Sequence, residues 1–131
     1  MPIQNEHVMK RVHIVWGFGH VTGVLYDTPT ARKVLAALPI ESESKRWGDE
    51  AYFETGITAE LEPDARDVVE PGSICFWVEG NSIAIAWGPT PISKSGECRM
   101  AAKVNVIGKL NCDPFPLGNL RNGTGIKIEL Q

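Results

Sequence analysis

The side chains best equipped for chemistry crowd one short stretch of this chain. Arg46, Trp47, Glu50 and Tyr52 surround the pair Gly48-Asp49. A guanidinium beside a carboxylate and two aromatic rings can hold a small anion or carboxylate through paired N–H donors and a flat apolar wall. The same four residues also suit ordinary packing at a barrel end with an ion pair, and alone they favour that plainer role. Other chemistries lack parts. His7, His13 and His20 have no metal-ligand spacing and no paired thiols or carboxylates beside them, so no metal is expected. No Ser or Cys occupies a strand-turn-helix elbow. Cys98, in a polar stretch, is the thiol expected to be exposed, with no activating partner in view. Gly17-x-Gly19 followed by Gly23 misses the dinucleotide spacing and reads as a turn, and no cofactor is expected. Trp77, Trp87 and Phe76 could wall a pocket, but aromatics at alternating strand positions are first of all core.

The bulk properties narrow the field further. At 131 residues, 43% hydrophobic and 22% charged, the chain reads as a single domain over residues 1–131 with a core large enough to need no staples. No apolar run reaches the length of a membrane span, and the first fifteen residues lack a signal-peptide apolar region. A cytoplasmic location is expected, and three cysteines without a C-x-x-C pair suit reduced thiols. The net charge is −3, and between Asp49 and Glu70 eight acidic side chains face the single base Arg66. Nucleic-acid binding is therefore not expected, because it requires a concentrated positive field. The acidic run reads as a solvated loop.

The elements that must position these residues are mostly strands. Lys10 to Trp16 alternates with Val12, Ile14 and Trp16 on one face, and after a turn at Gly17-Phe18-Gly19 a second strand runs from His20 to Tyr26. Gly23 within it implies a bulge or a close backbone approach. Thr28-Pro29 opens a helix to Leu38, capped by the threonine and striped by Ala31, Val34, Leu35 and Leu38. Ile40 to Trp47 and Glu50 to Thr55 are strands joined by a tight turn; the first is polar enough to suggest an edge, or else Ser42, Ser44 and Arg46 line a cavity, and the edge is the favoured reading. Gly56 to Glu70 reads as loop, and Glu70-Pro71-Gly72 as a type II turn.

Ser73 to Val78 and Ser82 to Trp87 form a hairpin about Gly80-Asn81. A two-residue loop would set Val78 against Ile83, Phe76 against Ile85 and Ile74 against Trp87, placing every bulky pair on one face. The other face carries Cys75, Trp77, Ala84 and Ala86, small enough in part to accept a covering helix. A corner at Gly88-Pro89-Thr90-Pro91, a polar connection from Ser93 to Lys103, a strand from Val104 to Leu110, a turn at Asn122-Gly123 and a strand from Ile126 to Leu130 complete the chain. About eight strands and one main amphipathic helix point to an all-β closed barrel, the closure that removes free edges.

Several ordered segments then acquire a family likeness: Leu25-Tyr26-Asp27-Thr28-Pro29-Thr30-Ala31, Leu38-Pro39, Arg46-Trp47-Gly48-Asp49-Glu50-x-Tyr52-Phe53, Trp87-Gly88-Pro89-Thr90-Pro91 and Val104-Asn105-Val106-Ile107-Gly108. Together they resemble the small prokaryotic cyclophilin-like proteins. The resemblance implies a closed eight-stranded barrel with helices at its ends, in a family whose members mostly have no assigned function. It also raises prolyl isomerase activity, but the Phe-His-Arg strand and Gln-Phe-Phe segment of the isomerases have no counterpart, and neither Arg11 nor Arg99 can be carried over.

The expectation is thus a non-catalytic barrel that binds a small polar ligand or peptide at one open end, near Arg46, Tyr52, Trp87, Thr90 and Arg99, as a monomer or homodimer. An isomerase with a rebuilt site and an accessory subunit of a larger enzyme are the alternatives.

Overall fold

The computed structural model describes residues 9–131; His7 lies outside that range. Strands β1 (Lys10–Trp16) and β2 (Gly19–Leu25) form the first hairpin, followed by helix α1 (Pro29–Ala37). The chain continues through β3 (Ile40–Glu43), β4 (Lys45–Arg46), β5 (Glu50–Glu54), β6 (Arg66–Val69), β7 (Ser73–Trp77), β8 (Ser82–Ala86) and the long β9 (Cys98–Leu110). A 3-10 segment, Phe115–Asn119, and β10 (Gly125–Leu130) complete it. Hydrogen bonding orders the strands β3-β10-β1-β2-β9-β7-β8-β5-β4, with β6 beside β9.

Only Ser44 separates β3 from β4, so the two ends of this path are one bent strand and the ring closes with eight staves. Ser44 makes the bend with its backbone still paired: its N–H donates to Thr124 O at 2.8 Å and its carbonyl accepts from Gly123 N at 2.8 Å. Its buried hydroxyl donates to Arg121 O at 2.8 Å. The polar Ile40 to Trp47 strand is therefore not an edge. It pairs with β10 through its first half and with β5 through its second, and its polar inward side chain at Ser44 is satisfied by the neighbouring loop.

Alternation fills the barrel. Val12, Ile14, Val21, Leu25, Phe53, Ile74, Phe76, Ile83, Ile85 and Ile128 are almost wholly buried in one cluster, to which α1 adds Ala31 and Val34. Thr28 caps α1 by accepting from Ala31 N at 3.1 Å, with Pro29 at the first helical position. Gly23 and Gly108 let β2 and β9 approach. A Cβ on Gly23 would stand 2.6 Å from Lys109 O, and one on Gly108 would stand 2.1 Å from Val24 O. The Glu70-Pro71-Gly72 turn is as read, with Gly72 at φ +87° and Ser73 N donating to Glu70 O at 3.0 Å.

Several further readings need correction. The β7–β8 loop has four residues, so Trp77 pairs with Ser82, Phe76 with Ile83 and Ile74 with Ile85. Asn81 sits at φ +50° and donates to Val78 O at 3.2 Å, while Gly80 passes flat against the Trp77 indole, where a Cβ would overlap the ring. This shifts the register by two residues, an even number, so each side chain keeps its face.

The polar connection ends early, because β9 already begins at Cys98, and the acidic loop contains β6. These two segments pair with each other, Val69 opposite Cys98 and Arg66 opposite Val104. They cover the outer face of β7 and β8, burying Val69, Cys98, Met100 and Val104 with Cys75, Ala84 and Ala86 in a second core. A strand pair, not a helix, supplies the cover. Burial on that face also makes Cys98 a buried thiol; Cys112 is the exposed one.

The remainder of the acidic loop is tied down at Thr30 in α1's first turn and at Asn105 of β9. Fully buried Asn105 accepts from Glu62 N at 2.8 Å and donates to Thr30 Oγ1 and Glu60 O, each at 2.9 Å. The Glu62 carboxylate in turn accepts from the N–H and hydroxyl of Thr30. Among the described residues no helix is long and apolar enough to cross a membrane.

Candidate functional site

The second core is not completely filled. Between β5, β7 and β8 on one side and the first half of β9 on the other lies a cavity of about 300 Å³. β5 begins at Glu50, and its alternation turns Ala51 and Phe53 into the barrel and sends Glu50 and Tyr52 to the outer face. β7 contributes Trp77 and β8 only Ala84, whose small side chain leaves the space open. Met100 and Val104 roof it from β9, and Trp47 closes one side from the turn before β5. Tyr52 and Trp77 meet edge to face with ring centroids 5.8 Å apart.

Glu50 is the one acidic group on this wall. Its side is 6% exposed, and its Oε1 is the only buried side-chain oxygen or nitrogen without a hydrogen-bond partner among the described residues. Burial pushes its carboxyl from the ordinary 4.5 up to about 7, because a charge taken out of water without a compensating donor is disfavoured. The Glu50 charge in turn helps to raise the Cys75 thiol, after the larger effect of that thiol's own burial. Buried and half ionised near neutral pH, this carboxyl can accept a hydrogen bond, pair with a cation or exchange a proton.

Of the five residues expected at a binding site, Tyr52 alone lines this cavity. Arg46 points away from it and is spent on the backbone. Its guanidinium donates to Gly48 O, to Gly118 O at 3.0 Å and to Leu120 O at 3.1 Å, and approaches Asp49 Oδ1 at 3.4 Å. It also lies 5.0 Å above the Trp87 ring centroid. These contacts fasten the β4–β5 turn to the 3-10 segment and to the start of the corner.

Thr90 and Arg99 meet each other elsewhere. Thr90 is buried, and its hydroxyl donates to Arg99 O. The Arg99 guanidinium pairs with Glu97 at 2.9 Å and Asp67 at 3.1 Å. Hydrogen bonding by Arg99 lowers the Glu97 carboxyl, and the same bond raises Arg99. The structure thus forms two local knots, Arg46 with Trp87 and Thr90 with Arg99, and a separate cavity holding Tyr52.

Trp47 and Glu50, which the sequence grouped with Arg46 and Tyr52 around one turn, are the residues that join Tyr52 there. Strand alternation was the available signal: Glu50 and Tyr52 lie two apart and must share a face. On the opposite flank, His13 and His20 approach at 3.1 Å across β1 and β2, with Glu129 3.5 Å from His13. No group of three possible metal ligands is formed among the described residues.

Comparison with known proteins places this architecture. The family model described as Cyclophilin-like matches residues 10–129. The solution structure of a hypothetical protein from Archaeoglobus fulgidus is similar over 100% of both chains, with a TM-score of 0.80 and 34% sequence identity. No curated protein matches the sequence.

Proposed function

The chain belongs to the Cyclophilin-like family, and from that premise we propose that it is a non-catalytic module that binds a small molecule in the cavity between β5 and β9. The observation that carries this reading is Glu50, a buried carboxylate on the wall of a largely apolar cavity, with one oxygen, Oε1, left without a partner. A buried polar atom left unpaired costs about 1–3 kcal/mol, more when charged. A ligand that supplies the missing donor recovers that energy, so the site gains from being filled. The volume lies at the small end of ligand pockets, which run from about 300 to 1,000 Å³.

The expected binding residues divide between the cavity and its support. Tyr52 contacts the ligand; Arg46 and Trp87 hold the turn that carries Trp47 and Glu50, while Thr90 and Arg99 hold the loop that leads into β9. Native mass spectrometry of gently purified protein tests the reading, with Ala102→Leu as the comparison. Ala102 is half-buried on the cavity wall, and leucine there narrows the space without adding charge. A discrete retained mass in the natural protein, absent from a folded Ala102→Leu variant, is the expected result. The reading fails if no mass is retained, or if the variant retains the same mass.

A further inference from the structure

The ligand itself has a chemistry that the cavity walls specify. We infer that the cavity takes a small organic cation, an arylalkyl or alkyl ammonium, whose N–H is received by the Glu50 carboxylate and whose carbon body lies against Tyr52, Trp77 and Met100. This rests on the binding reading above and adds the class of ligand.

Four observations converge on it. The unpartnered atom is a carboxyl oxygen, so the complementary group is a donor, and a charged donor forms the stronger bond. No lining residue carries positive charge, which leaves an anion nothing to pair with. Two further carboxylates act on the same second core, Asp49 and Glu70 both raising the Cys98 thiol after that thiol's burial, against the single cation Arg66, which lowers Cys75. Aromatic rings beside a carboxylate favour a cation over a neutral molecule of the same shape, since both the ring faces and the carboxylate attract positive charge.

Size gives the next limit. A cavity of about 150 Å³ already admits benzene. The 300 Å³ here therefore suits one aromatic or branched aliphatic group with a short ammonium arm.

Proton linkage gives a signature that a packing role for Glu50 would not produce. Burial raises the carboxyl to about 7, and a bound ammonium requires the ionised form. Binding below that value must expel the carboxyl proton. Few other titratable groups compete. β5 adds only Tyr52 and β8 none, and the lining residues of β9 add none, Lys103 between them being exposed and outside the lining. Behind the wall, β7 holds Cys75 and β9 holds Cys98, both thiols raised and neutral across the range used. Arg66 of β6 acts on Cys75 and stays charged throughout.

The test uses 2-phenylethylammonium and its uncharged counterpart 2-phenylethanol, titrated against the full chain by calorimetry at pH 6, 7 and 8. The amine should bind at least tenfold tighter than the alcohol at pH 8. Its affinity should fall about tenfold from pH 8 to pH 6, although the amine is fully charged at both. Glu50→Gln should bind amine and alcohol alike, without pH dependence. The pH profile of the natural protein stands as a test even if that variant folds poorly. Equal affinity for amine and alcohol, a flat pH profile, or no binding of the amine overturns the inference. Equal binding of both, lost in Ala102→Leu, would leave the binding reading standing and remove only the cation.

Discussion

Glu50 should make this protein lose stability as pH rises from about 4.5 to 7, and Glu50→Gln should abolish that loss. Below 4.5 the carboxyl is protonated in both the folded and unfolded chain. Between 4.5 and 7 it ionises in the unfolded chain, while burial keeps it protonated in the folded one. The folded state then holds the extra proton, and stability declines with rising pH until the folded group ionises as well. A displacement from 4.5 to about 7 corresponds to a loss of roughly 3 kcal/mol.

Glutamine has nearly the same volume and never ionises, so the variant should be the more stable protein at pH 8, by up to about 3 kcal/mol less the cost of burying its amide. For a chain of this size that is on the order of 10 °C in Tm. Urea unfolding followed by tryptophan fluorescence at intervals from pH 4.5 to 8.5 measures both proteins. The difference between the two curves isolates Glu50, because every other titrating group is common to both. Parallel curves would refute the reasoning, since they would mean that Glu50 titrates alike in the folded and unfolded chain.

Three other perturbations probe separate parts of the structure. Gly108→Ala places a Cβ 2.1 Å from Val24 O, and should destabilise by roughly 3 kcal/mol or more; a midpoint in urea equal to that of the natural protein would contradict the tight β2–β9 approach. Asn105→Ala removes three hydrogen bonds from a fully buried side chain and should cost about 2–4 kcal/mol. Hydrogen exchange should then quicken first at Glu60 to Glu62, and uniform quickening would argue against the tether. A thiol reagent at pH 8 should modify one cysteine rapidly, Cys112, and all three only in denaturant, since Cys75 and Cys98 are buried and their thiols raised. Two fast equivalents in the native protein would mean that the β6–β9 cover opens readily.

The features legible in the sequence are those set by neighbours along the chain. Period-two alternation put Val12, Ile14 and Trp16 inward, Thr28-Pro29 marked the start of α1, and Gly23 signalled the close approach of β2 to β9. The faces of the β7–β8 hairpin were correct although its register was two residues off, because an even slip keeps parity. The number of staves followed from the same local signals.

Contacts between distant segments decided the rest. β6 was hidden because it is only four residues long and its pairing shifts register between Arg66 and Val68. The start of β9 was hidden because Arg99 and Lys103 make it read as a polar connection, although Arg99 pairs with Asp67 at the surface. The closure through Ser44 depends on a loop almost eighty positions further along, whose carbonyl satisfies a hydroxyl that alone looks like an edge residue.

The candidate site shows the same division. Sequence put Arg46, Trp47, Glu50 and Tyr52 near one turn, and strand geometry determined that Glu50 and Tyr52 share a face. That the face is roofed by Met100 and Val104, that Ala84 leaves it hollow, and that Arg46 is consumed by Gly118 and Leu120 are facts of tertiary structure. A cavity is space left over among strands far apart in the chain, and the ionisation of the carboxyl inside it follows from how completely those strands exclude water.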